Sequence, residues 1–219
     1  ILSQITGIDT NEYSSTYLFE ADSYTGSIID GVIEPDYWTS TDNSEANPSP
    51  ADIVLASIDD SLAIEIKEMQ NVKIDLSDLN DSPSILMVEF NSQGYGEFNL
   101  NEYSFQIDDG NTTSLYNVST TQRTQGPNIF SDNAWATLVF VVNEDETQTK
   151  TYYEDAGSLT LISQFSPYTA LDLKEVGILA DDGPLYVTNL ETYNYEVEST
   201  LFFSEYAEGS ANNKYLEIY

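Results

Sequence analysis

The chain of 219 residues contains no cysteine and no histidine. These two absences exclude a disulfide framework, a Cys/His zinc site, a cysteine nucleophile and a Ser-His-Asp triad. The side chains that remain for chemistry are carboxylates, hydroxyls, phenols and amides, which suit hard cations and sugars. Most of the common hydrolase mechanisms are thereby excluded.

Basic residues are scarce as well: six Lys and Arg oppose 38 Asp and Glu, and the formal net charge is −32. Nucleic-acid binding requires a basic surface, since phosphate contacts supply most of the affinity, and the six basic residues form no cluster in the sequence. An anionic membrane surface would repel such a chain, and no apolar run approaches the roughly 20 residues needed to span a bilayer. We therefore expect no nucleic-acid partner and no membrane insertion.

Apolar and aromatic side chains are plentiful: 40% of the residues are hydrophobic, with 16 Tyr, 9 Phe and 2 Trp. This content is sufficient for a core, so the acidity does not indicate disorder. Two explanations of the charge stay open, a solvated surface adapted to salty surroundings and the binding of divalent cations. The sequence starts at Ile1 without a Met or a charged-then-apolar leader, so we expect a mature secreted protein, extracellular or on the cell surface.

Short β-branched and aromatic runs, separated by Gly, Asn, Asp and Pro clusters, dominate the chain and are typical of antiparallel β-structure. Apolar and charged residues alternate over residues 62–67, whereas the continuous apolar run 138–142 predicts a central strand covered on both faces. The polar stretch 39–52 is predicted to be a long loop. Together with the spacing of the turns, these features predict an all-β fold: an antiparallel two-sheet β-sandwich (jelly roll) with a C-terminal β-hairpin.

The order of features over residues 17–198 resembles the lectin-like jelly roll of the laminin-G and concanavalin A type. The segments that carry the resemblance are a Trp before a central strand, a Tyr-containing hairpin and two late strands, at residues 134–140, 151–157, 176–178 and 185–190. The resemblance implies one β-sandwich over residues 17–198, preceded by a lead-in segment over residues 1–16. Trp135, beside an apolar strand, is expected to belong to the core.

Residues 202–219 resemble the opening of a lamin-tail domain of secreted bacterial proteins, with two strands around a Gly-Ser-Ala-Asn-Asn turn. The resemblance implies an incomplete, non-catalytic module over residues 199–219. An isolated hairpin is marginal in water and its open edges invite pairing, so either the native chain continues past Tyr219 or the hairpin pairs with another copy of the chain. The residues predicted to mediate such assembly are Phe202, Phe203, Tyr206, Leu216 and Ile218.

Three aromatic residues in predicted loops are candidates for sugar binding: Tyr37, Trp38 and Tyr95. Exposed rings commonly stack on pyranose faces, framed by hydrogen bonds from Asn, Asp and Gln. Tyr37 and Trp38 precede the predicted long loop, and Tyr95 lies between two glycines. The alternative for Tyr37 and Trp38 is packing beneath that loop.

Calcium is the suspected cofactor, because it takes six to eight oxygen ligands and tolerates irregular loops. The candidate ligands lie in two acidic turns, Asp108 with Asp109 and Asp181 with Asp182, each followed by a glycine. The alternative is that Asp and Gly are present because they form turns well.

Catalytic residues are not expected. Jelly-roll glucanases carry Glu-x-Asp-x-x-Glu on one strand, and here Glu20-x-Asp22 and Glu34-x-Asp36 are both followed by Thr at the third position. The leading hypothesis is a secreted or cell-surface, non-catalytic binding or adhesion module for a polysaccharide or surface glycan, assisted by calcium. The alternatives are a structural subunit of an extracellular filament or layer, assembled by β-strand addition, and a glycan-active hydrolase that uses Glu20 and Asp22.

Overall fold

The computed structural model describes residues 13–78, 84–101, 103–108, 112–117, 122–125, 133–145, 148–155, 157–165, 171–195, 203–208 and 214–218. These residues form β-strands and one 3₁₀ turn, Ala21–Ser23. The strands are β1 (Tyr13–Glu20), β2 (Ile28–Ile29), β3 (Val32–Ile33), β4 (Trp38–Asp42), β5 (Ser49–Pro50), β6 (Ile53–Ile58), β7 (Ser61–Ile66), β8 (Gln70–Asp75), β9 (Ile85–Ser92), β10 (Tyr95–Leu100), β11 (Tyr103–Asp108), β12 (Thr112–Asn117), β13 (Gln122–Gln125), β14 (Trp135–Asp145), β15 (Gln148–Asp155), β16 (Ser158–Phe165), β17 (Glu175–Asp182), β18 (Leu185–Tyr195), β19 (Phe203–Glu208) and β20 (Lys214–Ile218). Within these described ranges, no helix is long and apolar enough to cross a membrane.

Two antiparallel sheets make up the sandwich. The large sheet has ten strands in the order β16-β15-β14-β9-β18-β7-β6-β3-β2, with β1 added alongside β18. The small sheet has eight strands in the order β13-β12-β11-β10-β17-β8-β4-β5. This arrangement confirms the predicted all-β, antiparallel two-sheet fold.

Strand β18 organises the large sheet. Residues 185–193 pair with β9 on one side, with a register shift between Val187 and Asn189. On its other side, residues 185–187 pair with β7 and residues 189–195 pair with β1. The edge of β18 is therefore covered by two separate strands, and residues 13–16 of the predicted lead-in belong to this sheet.

Phenylalanine rings from both sheets meet between them. Phe90 and Phe140 come from the large sheet, and Phe98 and Phe105 come from the small sheet; all four are at most 1% exposed. The ring centroids of Phe90 and Phe98 lie 5.1 Å apart, and those of Phe105 and Phe140 lie 5.6 Å apart, both in edge-to-face geometry. Burial of each ring stabilises the fold by roughly 1.5–3 kcal/mol, and the edge-to-face contacts add to this.

Strand β14 is covered on both faces, as the apolar run 138–142 predicts. Leu138 and Phe140 point into the main core, whereas Val139 and Val141 form a second buried cluster with Ile85 on the opposite face of the sheet. The partly buried side chains that complete this second cluster are Met87, Tyr152, Leu159 and Tyr193.

The predicted long loop over residues 39–52 is wrong in its extent. Strand β4 pairs with β8 throughout, and Thr41 and Asp42 pair with Pro50 and Ser49 of β5. The side chain of Gln70 fastens this hairpin, because its Nε2 donates to Ser40 Oγ at 2.6 Å and to the Asp52 carbonyl at 2.9 Å. A polar hairpin with a proline on the outermost strand is compatible with a sheet edge, and its composition resembles that of a loop.

The C-terminal segment forms the predicted hairpin. Strands β19 and β20 pair with each other, with Phe203 opposite Ile218 and Tyr206 opposite Leu216. Phe202 lies outside the described residues. The lamin-tail relationship and the assembly of copies through this hairpin stay predictions.

One glycine is required where the β9–β10 turn meets the β17–β18 turn. A Cβ atom on Gly94 would lie 1.4 Å from the carbonyl oxygen of Asp182. A Cβ on Gly157, by contrast, would meet no atom within 4 Å, although its φ of +83° disfavours other residues.

We expect Gly94→Ala to lower the free energy of unfolding by about 2–3 kcal/mol, because the backbones must separate. Gly157→Ala, the matched control, should cost about 1–2 kcal/mol from its left-handed backbone alone. Urea unfolding of both variants measures the difference. An equal or smaller loss in Gly94→Ala would contradict the close contact.

Candidate functional site

A row of polar and aromatic residues crosses four strands on the outer face of the large sheet. Trp135 of β14 lies opposite Asn91 of β9, Asn91 lies opposite Tyr186 of β18, and Tyr186 lies opposite Glu65 of β7. Their neighbours in the chain, such as Ala136, face the main core, so strand alternation directs this row outward. Tyr186 Oη donates to Glu65 Oε1 at 3.4 Å.

A second row follows one pleat further along the strands. Glu154 of β15, Thr137 of β14, Glu89 of β9 and Asn189 of β18 lie opposite one another in that order, and Asn189 lies opposite Glu20 of β1. Glu154 is held at the β15–β16 turn because its Oε1 accepts a hydrogen bond from the Gly157 N–H at 2.6 Å. We call these two rows, from Trp135 to Glu65 and from Glu154 to Asn189, the polar platform.

The polar platform concentrates buried polar atoms that lack partners. The described structure gives no hydrogen bond to Oδ1 or Nδ2 of Asn91, Nε1 of Trp135 or Oδ1 of Asn189. Asn91 is 0% exposed although it faces away from the core, because it has a Trp and a Tyr directly beside it. Buried polar groups are nearly always hydrogen-bonded, so an unpaired amide between two rings requires an explanation.

The carboxylates of the polar platform perturb one another. Partial burial raises the pKa of Glu89 above its ordinary value of 4.5, and the negative charges of Glu154 and Asp22 raise it further. Burial, together with the charge and hydrogen bond of Glu65, also raises the pKa of Tyr186. The platform is therefore an acidic surface on which a proton or a hydrogen-bond donor is favoured over an anion.

The other half of the same face is apolar and holds the platform in place. The second buried cluster, centred on Val139, Val141 and Ile85, occupies the following rows of β14 and β9. The main core fixes the register of these strands, because a shift by one residue would move every core side chain to the outer face.

The structure places the predicted sugar-binding residues at opposite ends of the small sheet. Trp38 lies in line with Ile74, Val176 and Leu100, near the end of β10, whereas Tyr95 begins β10 and lies opposite Asp182. Tyr37 is 62% exposed and Trp38 only 9%. Tyr95 Oη donates to Glu97, which also accepts hydrogen bonds from Ser104 and Gln106. These residues do not form one site, and sugar binding by each of them stays a prediction.

The predicted calcium ligands are partly outside the described residues. Asp109 lies outside them, and Asp108 ends β11. Asp181 and Asp182 are exposed at the end of β17. Among the residues that the structure describes, no group of three or more acidic side chains is arranged to hold a metal ion.

The two carboxylates considered for hydrolysis lie beside the polar platform. Glu20 ends β1 and accepts a hydrogen bond from Ser23 Oγ at 2.5 Å, and Asp22 follows in the 3₁₀ turn. The charge of Asp22 acts on Glu89. The fold thus brings Asp22 near a carboxylate that is distant in sequence.

Trp135 is not a core residue, contrary to the sequence-based expectation. It begins β14 on the outward side of the strand, and its ring is only partly buried. The alternation of the following residues contained this information, since Leu138 and Phe140 fix the inward positions. The association of Asn91, Tyr186 and Glu89 carried no sequence signal, because it depends on the pairing of distant strands.

Comparison with solved structures shows the same fold. The calcium-bound exoplasmic/lumenal domain of VIP36 matches with a TM-score of 0.54 and 8% identity, over 87% of this chain and 95% of that one. An endo-1,3-β-glucanase from Streptomyces sioyaensis matches with a TM-score of 0.52 and 10% identity, over 85% and 98%. A legume lectin-like domain from Entamoeba histolytica matches with a TM-score of 0.47 and 13% identity, over 78% and 100%.

No family model matches the chain, and no curated protein sequence matches it at a significant level. At identities of 8% and 10%, the likeness to the VIP36 domain and to the glucanase establishes the fold alone. The chain is a β-sandwich of the jelly-roll kind found in lectin-like domains.

The raised pKa of Glu89 has a consequence for stability. A carboxyl group that holds its proton more tightly in the folded state opposes folding once it is ionised, and this cost disappears when the pH falls below the unfolded pKa. We expect Glu89→Gln to raise the urea midpoint at about pH 7, and the gain to vanish as the pH falls through about 4.5.

Glu45→Gln is the matched control, because Glu45 is an exposed carboxylate outside the platform and its replacement makes the same change in net charge. The urea midpoint of Glu45→Gln at about pH 7 should differ from that of the parent by less than the midpoint of Glu89→Gln does. A Glu89→Gln variant less stable than the parent at neutral pH would show that ionised Glu89 makes favourable contacts.

Proposed function

We propose that this protein is a glycan-binding module and that the polar platform is its binding surface. The observation that carries the proposal is the side-chain amide of Asn91, which is 0% exposed and has no hydrogen-bond partner in the described structure. Sugar hydroxyls are both donors and acceptors, so one hydroxyl satisfies either end of such an amide.

The spacing of the aromatic residues supports this function. Trp135 and Tyr186 are two strands apart, which places their Cα atoms about 10 Å from each other. Rings at that spacing offer two apolar surfaces to a sugar chain, and the polar ends of Trp and Tyr lie beside amide and carboxylate groups. Because Asn91 is 0% exposed, a sugar hydroxyl reaches its amide only if one of the flanking rings moves.

The charge of the platform defines the class of glycan. Its acidic side chains are Glu65, Glu89 and Glu154, with Asp22 and Glu20 at its border. Uronates and sulfated sugars would be repelled by this field, which adds to the net charge of −32. The expected ligands are neutral polysaccharides or surface glycans whose hydroxyl groups donate to the carboxylates.

The test is a pair of amide deletions, Asn91→Ala and Asn99→Ala, screened against neutral and uronate-containing polysaccharides. Asn99 lies on the outer side of the small sheet, away from the platform. We expect Asn91→Ala to weaken glycan binding roughly tenfold, in line with a lost hydrogen bond of about 1–1.5 kcal/mol, and to leave stability unchanged or raised. Affinity electrophoresis or calorimetry measures the effect.

Asn99→Ala should bind as the parent does, and Trp135→Ala should lose binding to the same glycans as Asn91→Ala. Equal binding by the parent and both platform variants would refute the platform as the site. Repeating the titration with EDTA tests the predicted assistance by calcium: binding that persists without the metal would argue against it.

A second function, glycan hydrolysis, is favoured by one observation. Glu89 and Glu154 occupy the same row two strands apart, and the pKa of Glu89 is raised, as expected of a proton donor. Backbone positions about 10 Å apart are compatible with the carboxyl separation of inverting glycosidases, roughly 6.5–9.5 Å. Binding without catalysis stays the primary proposal, because Thr137 lies between the two carboxylates.

A measurement of the reducing ends released from each polysaccharide that binds distinguishes binding alone from hydrolysis. If hydrolysis occurs, Glu89→Gln should abolish it and preserve binding. If bound polysaccharide stays intact through prolonged incubation, the chain acts as a binding module.

A further inference from the structure

A cleft of about 420 Å³ opens beside the 3₁₀ turn. Its walls come from the end of β1 and the 3₁₀ turn, the segment before β4, and the end of β8. The aromatic residues that line it are Phe19, Tyr24, Tyr37 and Trp38. A volume of this size suits a small organic ligand.

Tyr37 stands at this cleft in an unfavourable backbone conformation. Its φ of +66° lies in the left-handed region, which side chains with a large ring rarely adopt, and the side chain is 62% exposed. The conformation is enforced by hydrogen bonds from Trp38 N–H to the Pro35 carbonyl at 3.3 Å and from Asp75 N–H to the Tyr37 carbonyl at 2.9 Å. A strained residue that presents its ring to solvent points to a function, since Asn or Gly would be more stable there.

The other rings form a continuous aromatic wall. The ring centroids of Phe19 and Tyr24 lie 5.9 Å apart, and those of Phe19 and Trp38 lie 5.6 Å apart, both in tilted geometry. The Tyr24 ring lies against Gly26, where an added Cβ would be 2.2 Å from its Oη. Phe19 and Trp38 are largely buried, at 4% and 9% exposure, so Tyr24 and Tyr37 are the more exposed of the four rings.

The charged residues that line the cleft are all acidic: Glu20, Asp36, Asp75 and Asp78. No Lys or Arg is present among its described lining residues. Hydrogen bonds from the hydroxyl and N–H of Ser77 lower the pKa of Asp75, so its carboxylate is ionised over a wide pH range. Anionic ligands are therefore disfavoured.

We propose that this cleft binds a ligand carrying an alkylated ammonium group. Aromatic faces attract such cations when a ring centroid lies within about 6 Å, and nearby carboxylates add a Coulombic attraction. A bare metal ion fits less well, because four rings occupy the walls where oxygen ligands would be needed. The net charge of −32 raises the local concentration of any cation near the mouth.

The test uses choline as the probe and its neutral carbon analogue, 3,3-dimethyl-1-butanol, as the reference ligand. Saturation-transfer NMR on the methyl protons gives a dissociation constant for each. We expect saturable binding of choline, at least roughly tenfold weaker binding of the neutral analogue, and weakening of choline binding with added salt.

Two variants connect the binding to the cleft. Tyr37→Asn removes the ring and relieves the left-handed strain, so the variant should unfold at the same or a higher temperature while binding choline roughly tenfold more weakly. Gly26→Ala keeps every ring but displaces Tyr24, and it should also weaken binding. Leu161→Asn, which changes an exposed apolar side chain on strand β16, is the control and should bind as the parent does.

Three results would overturn the proposal. They are the absence of saturable choline binding, equal affinity for the neutral analogue, and full choline affinity in Tyr37→Asn. Equal affinity for the two ligands would identify an apolar pocket with no selectivity for charge.

Discussion

The contact of phenylalanine rings across the sandwich is the interaction on which the remaining structure depends. Phe90 and Phe140 face Phe98 and Phe105 across the sheet interface. Because side chains alternate between the two faces of a strand, burial of these rings directs their chain neighbours outward. Asn91 and Glu89 flank Phe90 and are directed outward by the same constraint that buries it. The composition of the outer face is thus a consequence of core packing.

The second constraint is charge. With 38 acidic residues and six basic ones, few carboxylates can find a cationic partner. Lys73 bridges Glu175 at 2.9 Å and Lys174 bridges Asp172 at 3.2 Å, both at the surface, where such contacts contribute little. The fold satisfies several other carboxylates with hydroxyl, amide and backbone donors, as at Glu97 and Glu154. Glu89 instead lies near the negative charges of Glu154 and Asp22, which makes the polar platform unfavourable for a further anion.

Much of the fold could be predicted from the sequence, because strand alternation and turn residues are local signals. The buried run of β14 and the C-terminal hairpin are examples. The β4–β5 hairpin could not be predicted, because its polar residues and Pro50 are equally typical of a loop. The hydrogen bonds of the Gln70 side chain, which comes from a distant strand, hold it to the sheet.

The candidate site was less predictable. The sequence placed Tyr37 and Trp38 next to the polar stretch 39–52. Their separation from Tyr95, however, depends on the register of four strands. Asn91 and Tyr186 become neighbours only through the pairing of β9 with β18, and no local pattern encodes that register. The strained backbone of Tyr37 is likewise a property of the folded chain.

The edge of β18 has a further consequence. Residues 189–195 are covered on one side by β1 alone, and β7 covers only residues 185–187. Detachment of β1 would leave a slot of unpaired N–H and C=O groups along this edge, with β7 at one end, while β9 still pairs with the opposite edge of β18. We therefore expect cleavage within residues 13–20 to turn this edge of β18 into an acceptor for a foreign strand, which makes β1 the cover of that slot.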